Sequence, residues 1–98
     1  MSDEVTVVDN RERNRFEARL EGKLAGVLTY SIENGVSTMP HTVVEPEFGG
    51  RGVGGKLAKA ALDDARERGL KVDPQCPFIA GYIERNPEYA DLVAPESA

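Results

Sequence analysis

The densest chemical signal in the chain is Glu45-Pro46-Glu47-Phe48-Gly49-Gly50-Arg51-Gly52-Val53-Gly54-Gly55-Lys56. Five of the seven residues 49–55 are glycine, so the backbone there can approach a ligand closely and turn its N–H groups toward it. The run lies between a strand-like and a helix-like segment, where a helix N-terminus would add partial positive charge. That combination suits a phosphate or pyrophosphate; a plain mobile loop is the competing reading, and the strand-to-helix position argues against it. Two further side chains carry reactivity. Cys76 is the sole cysteine and precedes Pro77; a helix opening there would depress the thiol pKa, although a free cysteine equally serves as a small buried apolar residue. His41 is the sole histidine. It suits a general base or, beside Pro40, a cross-strand hydrogen-bonding group.

Three anion-binding spacings overlap in the glycine run. Gly50, Gly55 and Lys56 satisfy a nucleotide-binding loop, but Leu57 stands where a Ser or Thr would hold magnesium, and no metal site is expected. Gly50, Gly52 and Gly55 match G-x-G-x-x-G, but that fold needs a preceding βαβ unit. The third pattern is Q/R-x-x-G-x-G/A, in which Gly52 and Gly54 supply the G-x-G and Gly49 replaces the usual Gln or Arg. With HTVVEPEFGGRGVG, KLAKAALDDARERG, CPF and YIERNPEYADLV, the segment 41–93 resembles the GNAT superfamily of N-acetyltransferases, specifically its small single-domain group.

The resemblance implies acetyl-CoA as donor and an amine as acceptor. It implies that Gly49, Gly50, Arg51, Gly52, Val53, Gly54 and Gly55 cradle the pyrophosphate through their backbone. Val43, Val44 and Glu45 would pair with pantetheine as an added pseudo-strand, the thioester lying in a split beside the strand 70–73. Cys76 would then be an acetylated nucleophile or a donor near the thioester, in a superfamily that generally works by direct attack. Tyr82 or Tyr89 would protonate the leaving thiolate, and Asn86 or Arg85 would meet the CoA tail. Glu45 and Glu47 would attract a cationic amine. The superfamily's helices between its first two strands are missing here, since 10–14 has room only for a turn. An open acceptor side of this kind suits a protein or peptide amine, although a small-molecule amine stays open, and so does a homodimer rather than a monomer. The runner-up function is a non-catalytic acyl-CoA-binding or protein-interaction module.

Several elements must position these residues. Segment 5–8 is a β-branched run. In 15–21, Phe16, Ala18 and Leu20 alternate with Arg15, Glu17, Arg19 and Glu21, the period of a half-buried strand. Gly22 turns the chain, 24–32 forms a third strand, and Asn34-Gly35 is a hairpin signal. A fourth strand covers 36–44 with an interruption at Pro40. Over 51–68 the period becomes helical: Val53, Leu57, Ala61 and Ala65 form a stripe flanked by Ala58 and Leu62, with Lys59/Asp63 and Asp64/Arg68 as pairs four apart. Gly69 stops the helix and 70–73 is a short strand. Pro77 opens a second helix with Phe78, Ile79, Tyr82 and Ile83 on its apolar face, and Pro87 ends it. The order is β-β-β-β-α-β-α, an α+β fold with a mixed, mostly antiparallel sheet and a helical crossover joining two parallel strands.

Composition limits the rest. Ninety-eight residues suffice for one domain spanning 1–98, with 94–98 expected as a disordered tail. A formal charge of -5, from 12 basic and 17 acidic residues, argues against nucleic acid as a partner. No run approaches the roughly 20 apolar residues of a membrane span. One cysteine allows no internal disulfide, which fits the cytoplasm.

Overall fold

Alternating apolar and polar residues in the first half build an antiparallel meander. In the computed structural model, which describes residues 5–94, β1 (Val5–Asn10), β2 (Arg15–Leu20) and β3 (Lys23–Thr29) pair in sequence order. Glu21 and Gly22 join β2 to β3 with φ of 54° and 78°, the left-handed pair that matches strand twist in a two-residue hairpin. Phe16, Ala18 and Leu20 are buried as their alternation predicts. Glu17, expected on the wet face, is buried as well. Arg15 Nε donates to its carboxylate at 2.8 Å and Asn10 Nδ2 at 3.1 Å. These two hydrogen bonds, Arg15 first, hold the carboxyl below its ordinary value against the opposing effect of burial.

The two long strands of the sequence reading are each divided. Segment 24–32 breaks at Tyr30, whose N–H turns to Asn14 O at 3.0 Å, leaving β3 and β4 (Ser31–Glu33). Segment 36–44 breaks at Pro40, which has no N–H for a ladder, leaving β5 (Val36–Thr38) and β6 (Thr42–Val44). The breaks split one expected sheet into two. The first has the order β1-β2-β3-β6, and the second β4-β5-β7, where β7 is Lys71–Asp73. β7 runs parallel to β5, as the crossover requires, but does not pair with β6. Asn34 and Gly35, at φ 54° and 79°, make the expected β4–β5 hairpin.

Helix α1 (Val53–Glu67) packs across β1, β2, β3 and β6. It begins two residues later than expected, because Arg51 and Gly52 remain in the turn. Val53, Leu57, Ala58, Ala61, Leu62 and Ala65 are all buried. Lys59–Asp63 and Arg68–Asp64 close at 2.8 and 3.2 Å on the wet side. At its end Gly69 takes φ 70°, Gly69 N–H donates to Arg66 O, and Leu70 N–H donates to Ala65 O, which completes a Schellman motif.

Helix α2 (Pro77–Arg85) starts at Pro77 as expected. Ile79 and Ile83 are buried on it, but Phe78 is 39% exposed and Tyr82 half-buried, so its buried stripe is narrower than the sequence suggested. A 3-10 turn, Pro87–Leu92, follows and docks on α1. Val93 then bridges Val72, and Ala94 N–H donates to Val72 O at 2.8 Å; the remainder of the expected tail lies outside the described residues. No helix among the described residues is long and apolar enough to cross a membrane.

Two phenols tie this frame together. Tyr30 donates to Asp9 at 2.6 Å and Tyr89 to Asp63 at 2.7 Å. Burial and Asp9 push Tyr30 up to about 12, and the Asp63 hydrogen bond with burial pushes Tyr89 up to about 12, from 10.0. A tyrosine whose folded pKa lies above its unfolded one contributes stability that is complete below pH ~10 and lost as pH rises through ~12. The urea midpoint is therefore expected to fall across pH 10–12. Tyr89→Phe should remove part of that slope while leaving Tyr30's share. Equal slopes for the two proteins would contradict the assignment.

Candidate functional site: a glycine turn beside a split sheet

The site begins where β5 ends. Met39 N–H still donates to Asp73 O and Cys76 N–H to Met39 O, at 3.0 and 2.9 Å. Beyond Pro40 the chain leaves β7 and joins β3, so β6 and β7 diverge. Flanking β6, His41 O and Glu45 N–H bond toward β3 through Thr29 and Ala25, and Val43 sits opposite Val27 between them. By strand alternation the N–H and C=O of Thr42 and Val44 face the open edge. Of the expected trio Val43, Val44 and Glu45, only Val44 thus presents its backbone to the split, and Thr42 joins it.

The glycine turn lies directly after this edge. Pro46–Phe48 forms a short 3-10 turn and buries Phe48 beneath it. Gly50 and Gly52 take φ 79° and 78°, which a side chain would resist. Gly49 takes an ordinary φ of -60°, and its N–H is used by Pro46 O. Arg51 N–H donates to Phe48 O, and the Arg51 guanidinium reaches Glu21 at 3.3 Å and lies over the Phe48 ring. Arg51 thus ties the turn to the β2–β3 hairpin. Among the described residues, the N–H groups of Gly50, Gly52, Val53, Gly54 and Gly55 have no backbone partner outside regular structure, and the first turn of a helix cannot supply one. These donors stand at the positive end of a 15-residue helix with no acidic residue in its first turn. This is a fitting cradle for a pyrophosphate.

Cys76 occupies the apex of the split as the N-cap of α2, 6% exposed. Its Sγ lies 3.5 Å from Thr42 Oγ1 on β6. Burial pushes the thiol up, but the Thr42 hydroxyl and backbone hydrogen bonding from Ile79, Phe78 and Thr42 outweigh it, leaving the thiol below its ordinary value. Cys76 is thus an enclosed thiol at the start of α2 with Thr42 beside it.

The other expected residues fall around this centre. His41 is exposed and lies just before β6, not within a strand. Tyr82 runs beside the turn, its Cε2 3.9 Å from the Cβ position of Gly55. Tyr89 is buried and committed to Asp63. Asn86 Nδ2 donates to Tyr82 O at 2.9 Å, so it caps the end of α2. Arg85 is on the exposed end of that helix, and Glu45 is exposed. Glu47 faces Lys23 at 3.7 Å.

Three participants escaped the sequence reading: Thr42, Gly26 and Phe78. Gly26, in β3, faces α1 so closely that a Cβ would lie 2.8 Å from Val43 O and 3.1 Å from Val53 Cγ1. Phe78 Cζ would lie 2.8 Å from a Cβ on Gly54. Their only sequence signals were a glycine inside an apolar strand and the Cys-Pro-Phe run.

A split parallel edge with a glycine turn opening the adjacent helix defines a GNAT-fold protein. The family profile of GCN5-related N-acetyl-transferases matches residues 15–92. Protein NATD1 of mouse is 35% identical over 95 residues, covering 93% of this chain and 86% of its own; human NATD1 is also 35% identical over 95 residues, at 93% and 84%. A GCN5-like protein from Staphylococcus aureus superposes with TM-score 0.69 at 32% identity, over 99% of this chain and 94% of that one. The ribosomal-protein-S18-alanine N-acetyltransferase of Escherichia coli shares the fold, with TM-score 0.60 at 18% identity over 76% of this chain and 50% of that one. The chain belongs to the GCN5-related N-acetyltransferase family.

Proposed function

We propose that the chain transfers an acetyl group from acetyl-CoA to an amine at the mouth of the β6–β7 split. The observation that carries this is the set of N–H donors at Gly50, Gly52, Val53, Gly54 and Gly55 left without a backbone partner just after the open edge of β6. Acetyl-CoA supplies an activated carbonyl and a thiolate leaving group. The chain's own groups position and polarise. The turn amides hold the pyrophosphate, and the Thr42 C=O with the Val44 N–H and C=O offers edge groups to the amide-bearing arm. The N-terminus of α2 lies at the apex, where negative charge would develop on the carbonyl oxygen. His41, exposed beside Thr42, is placed to accept the proton that the amine loses. Tyr82 lies at the turn end of the split, where it contacts the donor. Cys76 is enclosed and shapes the apex, and the amine attacks directly.

The acceptor side supports a polypeptide amine. Only a turn joins β1 to β2, so nothing from that connection encloses a small molecule. The E. coli neighbour is named for acetylating a ribosomal protein, and another neighbour of 22% identity is an aminoglycoside acetyltransferase; the open face favours the former kind of acceptor. The same short connection supports the second reading, a CoA-binding or interaction module that carries no chemistry, or a homodimer that completes the site. Incubation with acetyl-CoA and a panel of lysine peptides, free N-terminal peptides and polyamines is expected to give acetylated peptide by mass spectrometry. Cys76→Ala should keep most turnover, and donor alone should leave Cys76 unmodified. An acetyl-thioester on Cys76 together with inactive Cys76→Ala and Cys76→Ser would replace direct attack by a two-step route. Calorimetric binding of CoA without any acetylated product would favour the second reading.

A further inference from the structure

Phe78 is an apolar ring 39% exposed on the first turn of a helix whose Ile79 and Ile83 are buried. It is not loose. Its ring tip abuts Gly54, so that a Cβ there would lie 2.8, 3.2 and 3.4 Å from Cζ, Cε2 and Cε1. Gly54 is itself buried, and its N–H is one of those in the turn with no backbone partner. Two residues before Phe78, Cys76 is anchored to Met39 O and faces Thr42 across the apex. Phe78 therefore touches the anion-binding turn with its ring, while its backbone follows the apex residue Cys76 by two positions.

We propose that Phe78 is the residue by which this chain recognises the pantetheine arm of its donor and distinguishes a CoA thioester from a nucleotide lacking that arm. The inference rests on the acetyl-CoA reading above. The chemistry divides between two walls. The arm carries amides, which the open edge of β6 at the Thr42 C=O and the Val44 N–H and C=O can pair, and aliphatic carbons, which need an apolar surface to leave water. Among the side chains already placed around the turn, Phe78 combines exposure, apolarity and a fixed position. Its fixity comes from Gly54: the missing Cβ admits the ring tip, and the ring cannot fall further inward. A nucleotide and its pyrophosphate would meet the ring only at its tip beside Gly54 and leave the rest of this wall uncovered.

Calorimetry with two probes tests it: CoA, and 3′-phosphoadenosine 5′-diphosphate, which keeps the nucleotide and pyrophosphate without the arm. Phe78→Ala is expected to weaken CoA by about tenfold and to leave the nucleotide within about twofold. Phe78→Leu, which keeps an apolar wall, should recover most of the CoA affinity. Because the ring is 39% exposed and partly packed on Gly54, Phe78→Ala should lower the urea midpoint modestly and Phe78→Leu less, and both probes are compared at a temperature where each variant is folded. Equal losses for both probes would overturn the inference and make Phe78 a prop for the turn, the acetyl-CoA reading standing. Unchanged CoA affinity in a folded Phe78→Ala would also overturn it alone. A wild type that binds neither probe overturns the acetyl-CoA reading and this inference with it.

Discussion

Gly55→Glu is expected to make the protein more stable and to abolish CoA binding. Gly55 is the third residue of α1, with Gly52 as N-cap. Its backbone is helical and its Cβ position meets nothing closer than Tyr82 Cε2 at 3.9 Å, so a side chain fits without strain. Replacing a helical glycine gains about 0.5–1 kcal/mol, and an acidic residue in a first turn that has none gains about 0.3–1 kcal/mol more. At this position the carboxylate can reach back to the N–H of Gly52, as in a capping box. It then occupies the donors that the pyrophosphate needs and sets negative charge against negative charge. A charge pair a few ångströms apart near a surface is worth about 4 kcal/mol, so CoA affinity should fall at least about 100-fold, or ~2.7 kcal/mol. The melting temperature should rise by several degrees for a domain of this size. Gly55→Gln separates charge from bulk and should lose less. Gly52 and Gly54 are poorer positions for this test: Gly52 needs its φ of 78° and Gly54 is pressed by Phe78. Calorimetry showing the same CoA affinity in Gly55→Glu as in wild type would remove the turn from the binding site.

Gly26→Ala should destabilise the protein more than any surface change. The added methyl would sit 2.8 Å from Val43 O, 3.1 Å from Val53 Cγ1 and 3.3 Å from Leu57 Cδ1. The two side chains can give by a few tenths of an ångström, but the carbonyl belongs to the strand paired with β3. Relief requires β6 to move away or α1 to lift. Overpacking of this kind costs about 1–3 kcal/mol; with backbone involved we expect the upper end, near ~3 kcal/mol. Out of a total of about 5–15 kcal/mol, this lowers the melting temperature by roughly 12–24 °C. The strain falls where β6 meets the start of α1, so the surviving folded fraction should also bind CoA less tightly. An unchanged urea midpoint would mean that the contact relaxes freely.

Some elements were legible because local rules specify them. The α1 stripe every four residues, the Asn34-Gly35 hairpin, the Gly69 stop and the opening of α2 at Pro77 each rest on one residue's geometry or one short period. Glu17 escaped because its burial depends on Arg15 and Asn10 folding over it, and alternation alone counts it as wet. Phe78 escaped in the opposite sense. It was placed on the apolar face of α2, but Gly54 of another helix stops its ring at the surface. The break at Tyr30 is invisible locally, since it exists to pair with Asn14 and Asp9 far back in the chain.

By itself, the sequence determined a small α+β domain whose glycine-rich turn opens a helix and has the composition to bind an anion. It also determined which helix faces are apolar, because helical and strand periods, capping and turn chemistry act over a few residues. Only the tertiary structure decided that residues 24–32 and 36–44 each divide, that β6 and β7 part to leave an open strand edge, and that Thr42, Cys76 and Phe78 meet there. Those outcomes depend on which hydrogen bonds and close contacts win between segments tens of residues apart, and on glycines such as Gly26 and Gly54 that permit an approach without announcing what will fill the space.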